Sequence, residues 1–397
     1  MCETAFNELC RPRPEWPGED YAFLRDNDMP AFHRSLPGYA PTPLLELPAL
    51  AAELGLGEVF VKDEAQRFGI KAFKALGASY AMYRFLKKRW QDRFAEPFTP
   101  TSFQDKKALE KLGSFTFCAA TDGNHGRAVA WTARMLGQKA VIYMPADSVA
   151  ARVENIRGEG AEVVLVEGTF DLCVERCAAA AAKKGWQAIS DTAYSGYREI
   201  PGWILLGYTT IFAELAGVLH GPMKVGVDLV ILPAGVGGLA AAGAFHYSKH
   251  YGARRPCLVC VEPVSSDCFL ESVRFGKGEP LPTRGRQTSI MAGLNCGVPS
   301  PLAWPIVRDA YPFFLAVGDA YAEQAMRRYY RPLKNDPRVI SGESGSSGLA
   351  ALLALTTSPK LAEVRGKLPL GKDSRILLIN TEGDTDPVNF QKIVGSE

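Results

Sequence analysis

The chain has 397 residues, enough for two or three domains and for a large hydrophobic core without disulfide bonds. It carries 45 Lys and Arg against 43 Asp and Glu, a formal net charge of +2, which gives no indication of binding to nucleic acid or to an anionic membrane. Nine cysteines, an odd number, argue against a secreted disulfide scaffold, and the first residues lack the pattern of a signal segment. We therefore expect a cytoplasmic protein.

Strand and helix patterns alternate along the sequence, which is typical of doubly wound α/β proteins with parallel sheets. Apolar runs predict strands at 59–62, 114–119, 140–144, 162–167, 187–190, 229–232, 257–261, 312–317 and 375–380. Helical patterns fall at 75–88, 126–136, 148–157, 169–184, 202–219 and 347–356. Residues 91–113 are polar and interrupted by proline, which indicates an insertion or a domain hinge.

The first segment whose residues could take part in catalysis is a turn that contains a lysine. Lys74 lies where a turn passes into a long helical pattern, with Phe73 and Leu76 beside it. A helix N-terminus and an apolar wall both lower the pKa of a lysine, as a Schiff-base lysine requires. Lys71 is an alternative for this role, and a solvated lysine on a helix face is the ordinary case.

The second segment is the loop of residues 121–126, Thr-Asp-Gly-Asn-His-Gly, between a strand pattern and a helical pattern. Two glycines and small polar side chains present backbone N–H groups at a helix N-terminus, a geometry that binds a carboxylate or a phosphate. An ordinary turn explains this hexapeptide alone equally well.

The third segment, residues 227–243, passes from a buried strand pattern through a glycine-rich turn into an alanine-rich helical pattern. Its glycines allow the backbone to wrap closely around a phosphate at the helix N-terminus. The spacing also fits Gly-x-Gly-x-x-Ala, and Glu262 ends the next strand pattern, so a dinucleotide site is an alternative. No Gly-Lys-Ser/Thr follows, which excludes a Walker loop.

The order of these three segments resembles the fold-type-II pyridoxal-phosphate enzymes, which include serine/threonine dehydratases, cysteine synthases and tryptophan synthase β chains. Further motifs resemble the diaminopropionate ammonia-lyase family in particular, over about residues 32–386; they lie at 67–77, 121–127, 191–201, 291–296, 341–345 and 380–383. The most specific of them is Asp122, where dehydratases of this superfamily usually carry Ser.

The resemblance implies two doubly wound α/β domains with mostly parallel sheets, the smaller inserted in the larger, and pyridoxal 5'-phosphate in the cleft between them. Residues 1–90 and 200–397 would form the large cofactor-binding domain, and residues 91–199 the small substrate-binding domain, with the polar insertion at 91–113. The family also implies a homodimer.

The resemblance also implies which residues hold the cofactor. Lys74 would form the Schiff base, Asn124 would bind the ring hydroxyl, and Thr381 would face the pyridine nitrogen. Asp384 and Asp386 are alternatives to Thr381, although solvated acids in a turn are the ordinary case. Backbone donors to the phosphate would come from Gly235, Val236, Gly237, Gly238 and Leu239.

Two acids would select the substrate. Asp122 and Asp191 follow strand patterns, and an extra ammonium on the substrate would pair with them, whereas the hydroxyl of serine needs no charge. The backbone N–H groups of the loop near Thr121 and Gly123 would bind the substrate carboxylate, and His125 would also contact the substrate. The resemblance implies α,β-elimination from both isomers of 2,3-diaminopropionate to pyruvate and two ammonia, Lys74 taking the α-proton of one isomer and Asp122 that of the other. Asp191 could instead simply cap a turn.

Other functions stay open at this point. A serine/threonine dehydratase or a β-replacing synthase fits the same scaffold, and a nicotinamide dehydrogenase would use the glycine loop with Glu262. A catalytically inactive binding protein is a further alternative. The histidine and cysteine spacings indicate no metal site. The resemblance places Cys268 and Cys296 near the site, either as a redox-sensitive pair or as two ordinary buried thiols.

Overall fold

The structure is a computed structural model that describes residues 1–121, 123–168, 170–221 and 226–395. Contacts between residues divide the chain into two compact units. The larger unit comprises Met1–Pro17, Pro41–Lys71 and Ile211–Glu397, and the smaller unit comprises Gly18–Ala40 and Ala72–Thr210. The limits of the cofactor-binding and substrate-binding domains drawn from the sequence stay a prediction.

The described residues contain strands and helices in alternation. The strands are β1 Cys2–Phe6, β2 Leu44–Glu46, β3 Glu58–Asp63, β4 Thr116–Ala120, β5 Lys139–Pro145, β6 Glu162–Val166, β7 Gln187–Ala188, β8 Leu229–Pro233, β9 Cys257–Pro263, β10 Phe313–Val317 and β11 Arg375–Asn380. The α-helices are α1 Met29–Ser35, α2 Pro48–Leu54, α3 Lys74–Gln91, α4 Lys106–Leu112, α5 Asn124–Met135, α6 Ala150–Gly158, α7 Phe170–Lys184, α8 Glu199–Ala213, α9 Gly238–Tyr251, α10 Cys268–Phe275, α11 Ala303–Ala310, α12 Asp319–Tyr330, α13 Ser347–Thr357, α14 Ala362–Arg365 and α15 Pro387–Gly395. Short 3-10 helices lie at Glu19–Arg25, Glu64–Gly69, Ser102–Gln104, Gly252–Arg254, Ala292–Leu294 and Pro359–Leu361.

The larger unit is built on one mixed sheet with strand order β1-β10-β9-β8-β11-β3-β2. Its five inner strands are parallel, and β1 and β2 pair antiparallel at the two edges. Every residue of β8 and of β10 is buried, as expected for parallel strands that are covered on both faces. In the register, Ile231 of β8 pairs with Leu378 of β11 and with Val259 of β9, in the apolar core.

The smaller unit has a sheet of order β6-β5-β4-β7, in which every pairing is parallel. Both sheets therefore confirm the predicted α/β class with mostly parallel sheets. In this unit, two helix N-termini, of α3 and α5, and the segment after β7 carry the predicted site residues. In the larger unit, the loop between β8 and α9 and the end of β11 do so.

All nine strands expected from the sequence are present, whereas the edge strands β1 and β2 were not predicted. β2 has only three residues, and β1 has no buried residue, so neither produces an apolar run. Residues 91–113, expected to be an insertion or a hinge, contain α4 and the 3-10 helix at Ser102–Gln104. Phe103 is completely buried there, and its ring packs edge-on against that of Phe32 at 5.1 Å. None of the helices in the described ranges is long and apolar enough to cross a membrane.

Candidate active site

Lys74 is the first residue of α3, and a tight turn leads to it. Phe68, Gly69 and Lys71 have φ angles of 49°, 72° and 60°, in the left-handed region that residues other than glycine rarely adopt. The chain therefore changes direction sharply before the helix begins. Lys74 consequently lies at the electropositive end of an 18-residue helix, as the sequence predicted.

A buried ionic cluster holds the residues just before this turn. The Arg67 guanidinium lies 2.7 Å from a carboxylate oxygen of Glu64 and 2.7 Å from one of Glu214. The Lys62 ammonium lies 2.5 Å from the other oxygen of Glu214. The side chains are at most 4% exposed, so loss of one partner would leave an unpaired charge in the core. Sequence reasoning missed this cluster because Glu214 is distant from Arg67 along the chain.

Lys74 forms an ion pair with Asp191. Its Nζ lies 2.6 Å from Oδ2 of Asp191, and the rings of Phe73 and Tyr208 lie beside it with centroids at 5.4 and 5.8 Å. Burial by itself raises the pKa of Asp191, but the charge of Lys74 and the hydrogen bond that Lys74 donates outweigh it and hold that pKa well below its usual range. Asp191 is therefore ionised at neutral pH.

Two glycines determine where Tyr208 lies. A Cβ added to Gly77 of α3 would lie 2.5 Å from a ring carbon of Tyr208, and one added to Gly207 of α8 would lie 2.4 Å from the Leu76 carbonyl oxygen. The two helices can approach this closely only because both positions lack a side chain. Sequence reasoning did not identify Tyr208; a glycine inside each of two helical patterns is the signal that could have revealed this close packing.

His125 faces the same ion pair. Its Nε2 lies 2.6 Å from the carbonyl oxygen of Ile189, so Nε2 carries the ring proton and donates a hydrogen bond to that oxygen. Burial lowers the pKa of His125 more than Asp191 raises it, and the ring is therefore neutral. Its Nδ1 lies 3.9 Å from Oδ2 of Asp191 and has no hydrogen-bond partner among the described residues.

The loop that contains His125 is closed by Thr121. The Thr121 hydroxyl oxygen accepts hydrogen bonds from the N–H groups of Gly123 and Gly126, at 2.9 and 3.1 Å, and the N–H of Thr121 donates to the Tyr143 carbonyl. The N–H groups of Thr121 and Gly123, expected to bind a substrate carboxylate, are therefore already used within the chain. Asn124 and His125 open α5, and Asp122 lies outside the described residues.

The predicted glycine loop joins β8 to α9. Gly237 has a φ angle of 97° and is the N-cap of α9, and a Cβ at this position would lie 2.4 Å from Cζ of Phe269. A Cβ at Gly235 would lie 3.0 Å from Sγ of Cys296. The backbone of this loop is therefore free of side chains at both glycines and leads into a 14-residue helix. Such a cradle at a helix N-terminus fits a phosphate group.

Glu262 does not serve this loop as a dinucleotide-binding acid would. Its two carboxylate oxygens accept the N–H groups of Phe269 and Leu270, both at 2.9 Å, in the first turn of α10. Burial raises its pKa to about 8, although these two N–H groups oppose the shift. The carboxylate is thus a buried helix cap rather than a partner for a ribose hydroxyl, which removes the main support for a nicotinamide enzyme.

The end of β11 separates Thr381 from the two alternative acids. Thr381 is buried directly after the strand. Asp384 instead forms an ion pair with Lys71 at 2.7 Å, and both side chains are partly exposed. Asp386 accepts the N–H of Asn389 in the first turn of α15. Asp384 and Asp386 therefore have local structural partners, and so does Lys71, the alternative for the Schiff base.

Cys268 is buried and Cys296 is half-buried, and neither of them forms a disulfide bond, nor do the other seven cysteines. Among the described residues, no group of three or more His, Cys, Asp or Glu side chains could hold a metal ion.

Comparison with known proteins identifies the class. A family model described as pyridoxal-phosphate dependent enzyme matches residues 36–382. The chain therefore belongs to the family of pyridoxal-phosphate-dependent enzymes, and pyridoxal 5'-phosphate is its cofactor, as predicted.

Within this family the chain groups with the diaminopropionate ammonia-lyases. The diaminopropionate ammonia-lyase of Salmonella typhimurium is 40% identical over 366 residues, which cover 92% of this chain and 90% of the relative. The Escherichia coli K12 enzyme is 40% identical over 365 residues, 91% of this chain and 89% of the relative. This confirms the resemblance seen in the sequence and shows that the protein is a carbon–nitrogen lyase.

Solved structures support the same grouping with the diaminopropionate ammonia-lyases. The crystal structure of the Escherichia coli ammonia-lyase in complex with D-serine covers 99% of this chain and 97% of its own, with a TM-score of 0.87 at 35% identity. A second structure of that enzyme, in complex with an aminoacrylate-PLP azomethine reaction intermediate, has a TM-score of 0.86 at 36% identity and the same coverage. The described residues fit the cofactor. Lys74 lies at the N-terminus of α3, the glycine loop of Gly235 and Gly237 leads into the N-terminus of α9, and Thr381 offers a buried hydroxyl group.

Proposed function

We propose that this protein is a diaminopropionate ammonia-lyase: it eliminates one ammonia from 2,3-diaminopropionate, and hydrolysis of the resulting enamine by one water molecule gives pyruvate and the second ammonia. The observation that carries the proposal is the ionised Asp191 carboxylate beside Lys74, at 2.6 Å. A substrate with a β-ammonium needs an anionic partner near the reacting carbon, whereas the hydroxyl of serine does not. The neutral His125 ring next to Asp191 leaves that negative charge in place for the substrate.

Several elements of the chain carry the residues that would hold the cofactor. In this proposal Lys74 binds the aldehyde carbon, Asn124 the ring hydroxyl and Thr381 the pyridine nitrogen. The phosphate rests on the backbone of the glycine loop, formed by Gly235, Val236, Gly237, Gly238 and Leu239. When bound, pyridoxal phosphate supplies an electron sink for the negative charge that develops at the substrate α-carbon. A neutral hydroxyl at the pyridine nitrogen suits elimination, because the electrons leave promptly with the β-amine.

The side chains of the smaller unit move the protons. Lys74 would act as the base that takes the proton from the substrate α-carbon of one isomer. Asp191 binds the β-amine as its ammonium, and this favours elimination because a protonated amine is the better leaving group. We assign the base for the other isomer, expected to be the D form, to Asp122. The substrate carboxylate would lie at the N-terminus of α5, next to the loop of Thr121, Gly123 and His125, but not on the N–H groups of Thr121 and Gly123, which are used within the chain.

A serine/threonine dehydratase or a β-replacing synthase receives less support. Neither of those activities needs the second charged group that Asp191 is placed to bind. D-serine is bound in a crystal structure of the Escherichia coli relative, which is named an ammonia-lyase all the same. We also propose a cytoplasmic homodimer, supported by nine cysteines that form no disulfide bond and by the family resemblance. Sedimentation of the purified protein would test the dimer.

A substrate comparison tests the proposed activity. Purified protein supplied with pyridoxal phosphate should form pyruvate from D- and L-2,3-diaminopropionate, with two ammonia per pyruvate, and kcat/KM for either isomer of serine should be much lower. Asp191→Asn should lower kcat/KM for diaminopropionate more than for serine, because only the former carries the β-ammonium. Higher activity on serine in the wild type, or equal losses on both substrates in the variant, would contradict the assignment.

The isomers test Asp122 separately. If Asp122 is the base for one isomer, Asp122→Asn should reduce activity on that isomer by about 100- to 10,000-fold, the usual cost of losing a positioned base. Losing only a partly exposed ion pair costs roughly 1 kcal/mol, about fivefold. Small and equal losses on both isomers would leave Asp122 as a binding residue, and unchanged activity on both would remove it from the site.

A further inference from the structure

A buried carboxylate with no place in the reaction lies next to the glycine loop. Glu262 ends β9 and is 1% exposed. One of its oxygens accepts the N–H of Phe269 and the other that of Leu270, both at 2.9 Å. Asp267, the residue before α10, makes no capping bond with its side chain, because its carboxylate accepts the hydroxyl of Thr283 instead. Glu262 therefore orients the first turn of α10.

That first turn reaches the glycine loop through one ring. Phe269 is completely buried, and its Cζ lies 2.4 Å from the position of a Cβ on Gly237. The ring also packs against Trp304 of α11, at 5.9 Å between centroids. Gly237 is the N-cap of α9 and has a left-handed φ of 97°. The ring thus lies directly against the residue at the centre of the loop.

We propose that Glu262 is a positioning residue for the cofactor phosphate: it fixes the start of α10, and Phe269 transmits that position to Gly237 and the glycine loop. The inference rests on the proposed assignment of this loop to the phosphate. The physical reason is that backbone N–H groups bind a phosphate well only when they are held in place before it arrives. The ring fills the space next to Gly237, so a displaced α10 would allow the loop to relax.

The chain contains a matched control for this role. Asp336 also accepts two consecutive helix N–H groups with its two oxygens, those of Ala49 and Leu50 in the first turn of α2, at 2.8 and 2.9 Å. It is buried in the same unit. Glu262→Gln and Asp336→Asn both replace one accepting oxygen by an amide nitrogen, which cannot accept a hydrogen bond. They should lower the melting temperature alike, but only the first change lies next to the glycine loop.

The experiment measures the dissociation constants of pyridoxal phosphate and of pyridoxal, which lacks the phosphate, for the cofactor-depleted full-length protein. We expect Glu262→Gln to weaken binding of pyridoxal phosphate on the order of tenfold, as loss of one buried hydrogen bond predicts. Binding of pyridoxal should not change, and Asp336→Asn should change neither constant. If Glu262→Gln leaves the ratio of the dissociation constant of pyridoxal phosphate to that of pyridoxal at its wild-type value, or if Asp336→Asn raises that ratio equally, the inference is wrong.

A second pair of variants keeps the test decisive if Glu262→Gln is poorly folded. Phe269→Leu removes the ring, and it should lower the affinity for pyridoxal phosphate relative to pyridoxal. In the double variant, adding Glu262→Gln to Phe269→Leu should lower this relative affinity only slightly further, because both changes act through the same contact. Additive losses, or no loss with Phe269→Leu, would overturn the inference. A wild-type protein that binds pyridoxal as tightly as pyridoxal phosphate would instead refute the phosphate assignment of the proposed function.

Discussion

At the scale of single residues, two lysines are candidates for the Schiff base with the cofactor, and they differ in their surroundings. Lys74 lies at the start of α3, paired with Asp191 and beside two aromatic rings. Lys71 pairs with Asp384, and its side chain is 46% exposed. Burial next to a carboxylate and aromatic rings is typical of an active-site amine, whereas an exposed ion pair contributes little to stability or chemistry.

We expect Lys74→Ala to abolish lyase activity and covalent retention of pyridoxal phosphate, whereas Lys71→Ala should keep both. Borohydride reduction of the wild type followed by peptide mapping should place the phosphopyridoxyl group on Lys74. Circular dichroism should show both variants folded. Label on Lys71, or retained activity in Lys74→Ala, would refute the assignment.

The ion pair of Lys74 and Asp191 should affect how the free energy of unfolding of the cofactor-free protein depends on pH in acid. The pKa of Asp191 is depressed in the folded state, so its contribution is complete above the unfolded pKa of about 3.9 and is lost as the pH falls through the folded pKa. Asp191→Asn should therefore lower the free energy of unfolding by roughly 1–3 kcal/mol at neutral pH. The difference should shrink below about pH 4. Urea unfolding at a series of pH values measures it, and a difference that stays constant down to pH 3 would show that the pair does not form.

At the scale of elements, the link between β8 and α9 combines a left-handed glycine with close packing. Gly237 meets Phe269 on one side, and its φ angle of 97° disfavours any side chain. At the other end of α9, Gly252 also has a positive φ, 56°, but open space around it. The two glycines share a positive φ angle and differ in ψ, 2° for Gly237 and −125° for Gly252, in packing and in nearness to the expected phosphate.

We expect Gly237→Ala to weaken binding of pyridoxal phosphate at least tenfold, since the new methyl group must displace the Phe269 ring and the loop with it. Gly252→Ala, the control, should cost about 1 kcal/mol of stability through its left-handed backbone. It should leave the affinity for the cofactor unchanged. Cofactor titration followed by absorbance compares them, and equal affinities in the two variants would contradict the phosphate assignment of the loop.

At the scale of the whole molecule, neutral histidines make the fold sensitive to acid. His220 is buried; its Nδ1 accepts the N–H of Gly226, and its Nε2 lies 3.1 Å from the Tyr247 hydroxyl. Burial and the charge of Arg375 lower the pKa of His220 to about 4. The pKa values of His125, His246 and His250 are lowered too, first by burial. Unfolded chains take up these protons near pH 6.5, so acid favours unfolding.

We expect the free energy of unfolding to fall between pH 6.5 and about 4, because the unfolded state binds protons that the folded state excludes. His220→Gln removes one group that binds a proton only in the unfolded state. It should therefore reduce the slope of the free energy of unfolding against pH by about 1.4 kcal/mol per pH unit, the value for one group. Urea unfolding of both proteins across this range measures the slopes. The same slope in both proteins would mean that His220 is protonated in the fold.

The sequence by itself determined much of this protein. Buried parallel strands require continuous apolar runs, so the inner strands and the α/β class could be predicted; β1 and β2, short edge strands with little burial, could not. Glycine and lysine motifs identified Lys74 and the loop of Gly235 and Gly237, because a turn, a helix start and close backbone approach each restrict the residue type locally.

Only the tertiary structure decided which groups meet. That Asp191 pairs with Lys74, that Tyr208 lies beside it, and that Glu262 caps α10 rather than facing a dinucleotide depend on residues distant in sequence. Local patterns restrict the backbone, but they carry no information about which distant charge completes a buried ion pair or which carboxylate reaches a helix N-terminus. Those partners are selected by the free energy of burying charged and polar groups, which is determined only when the whole chain is packed.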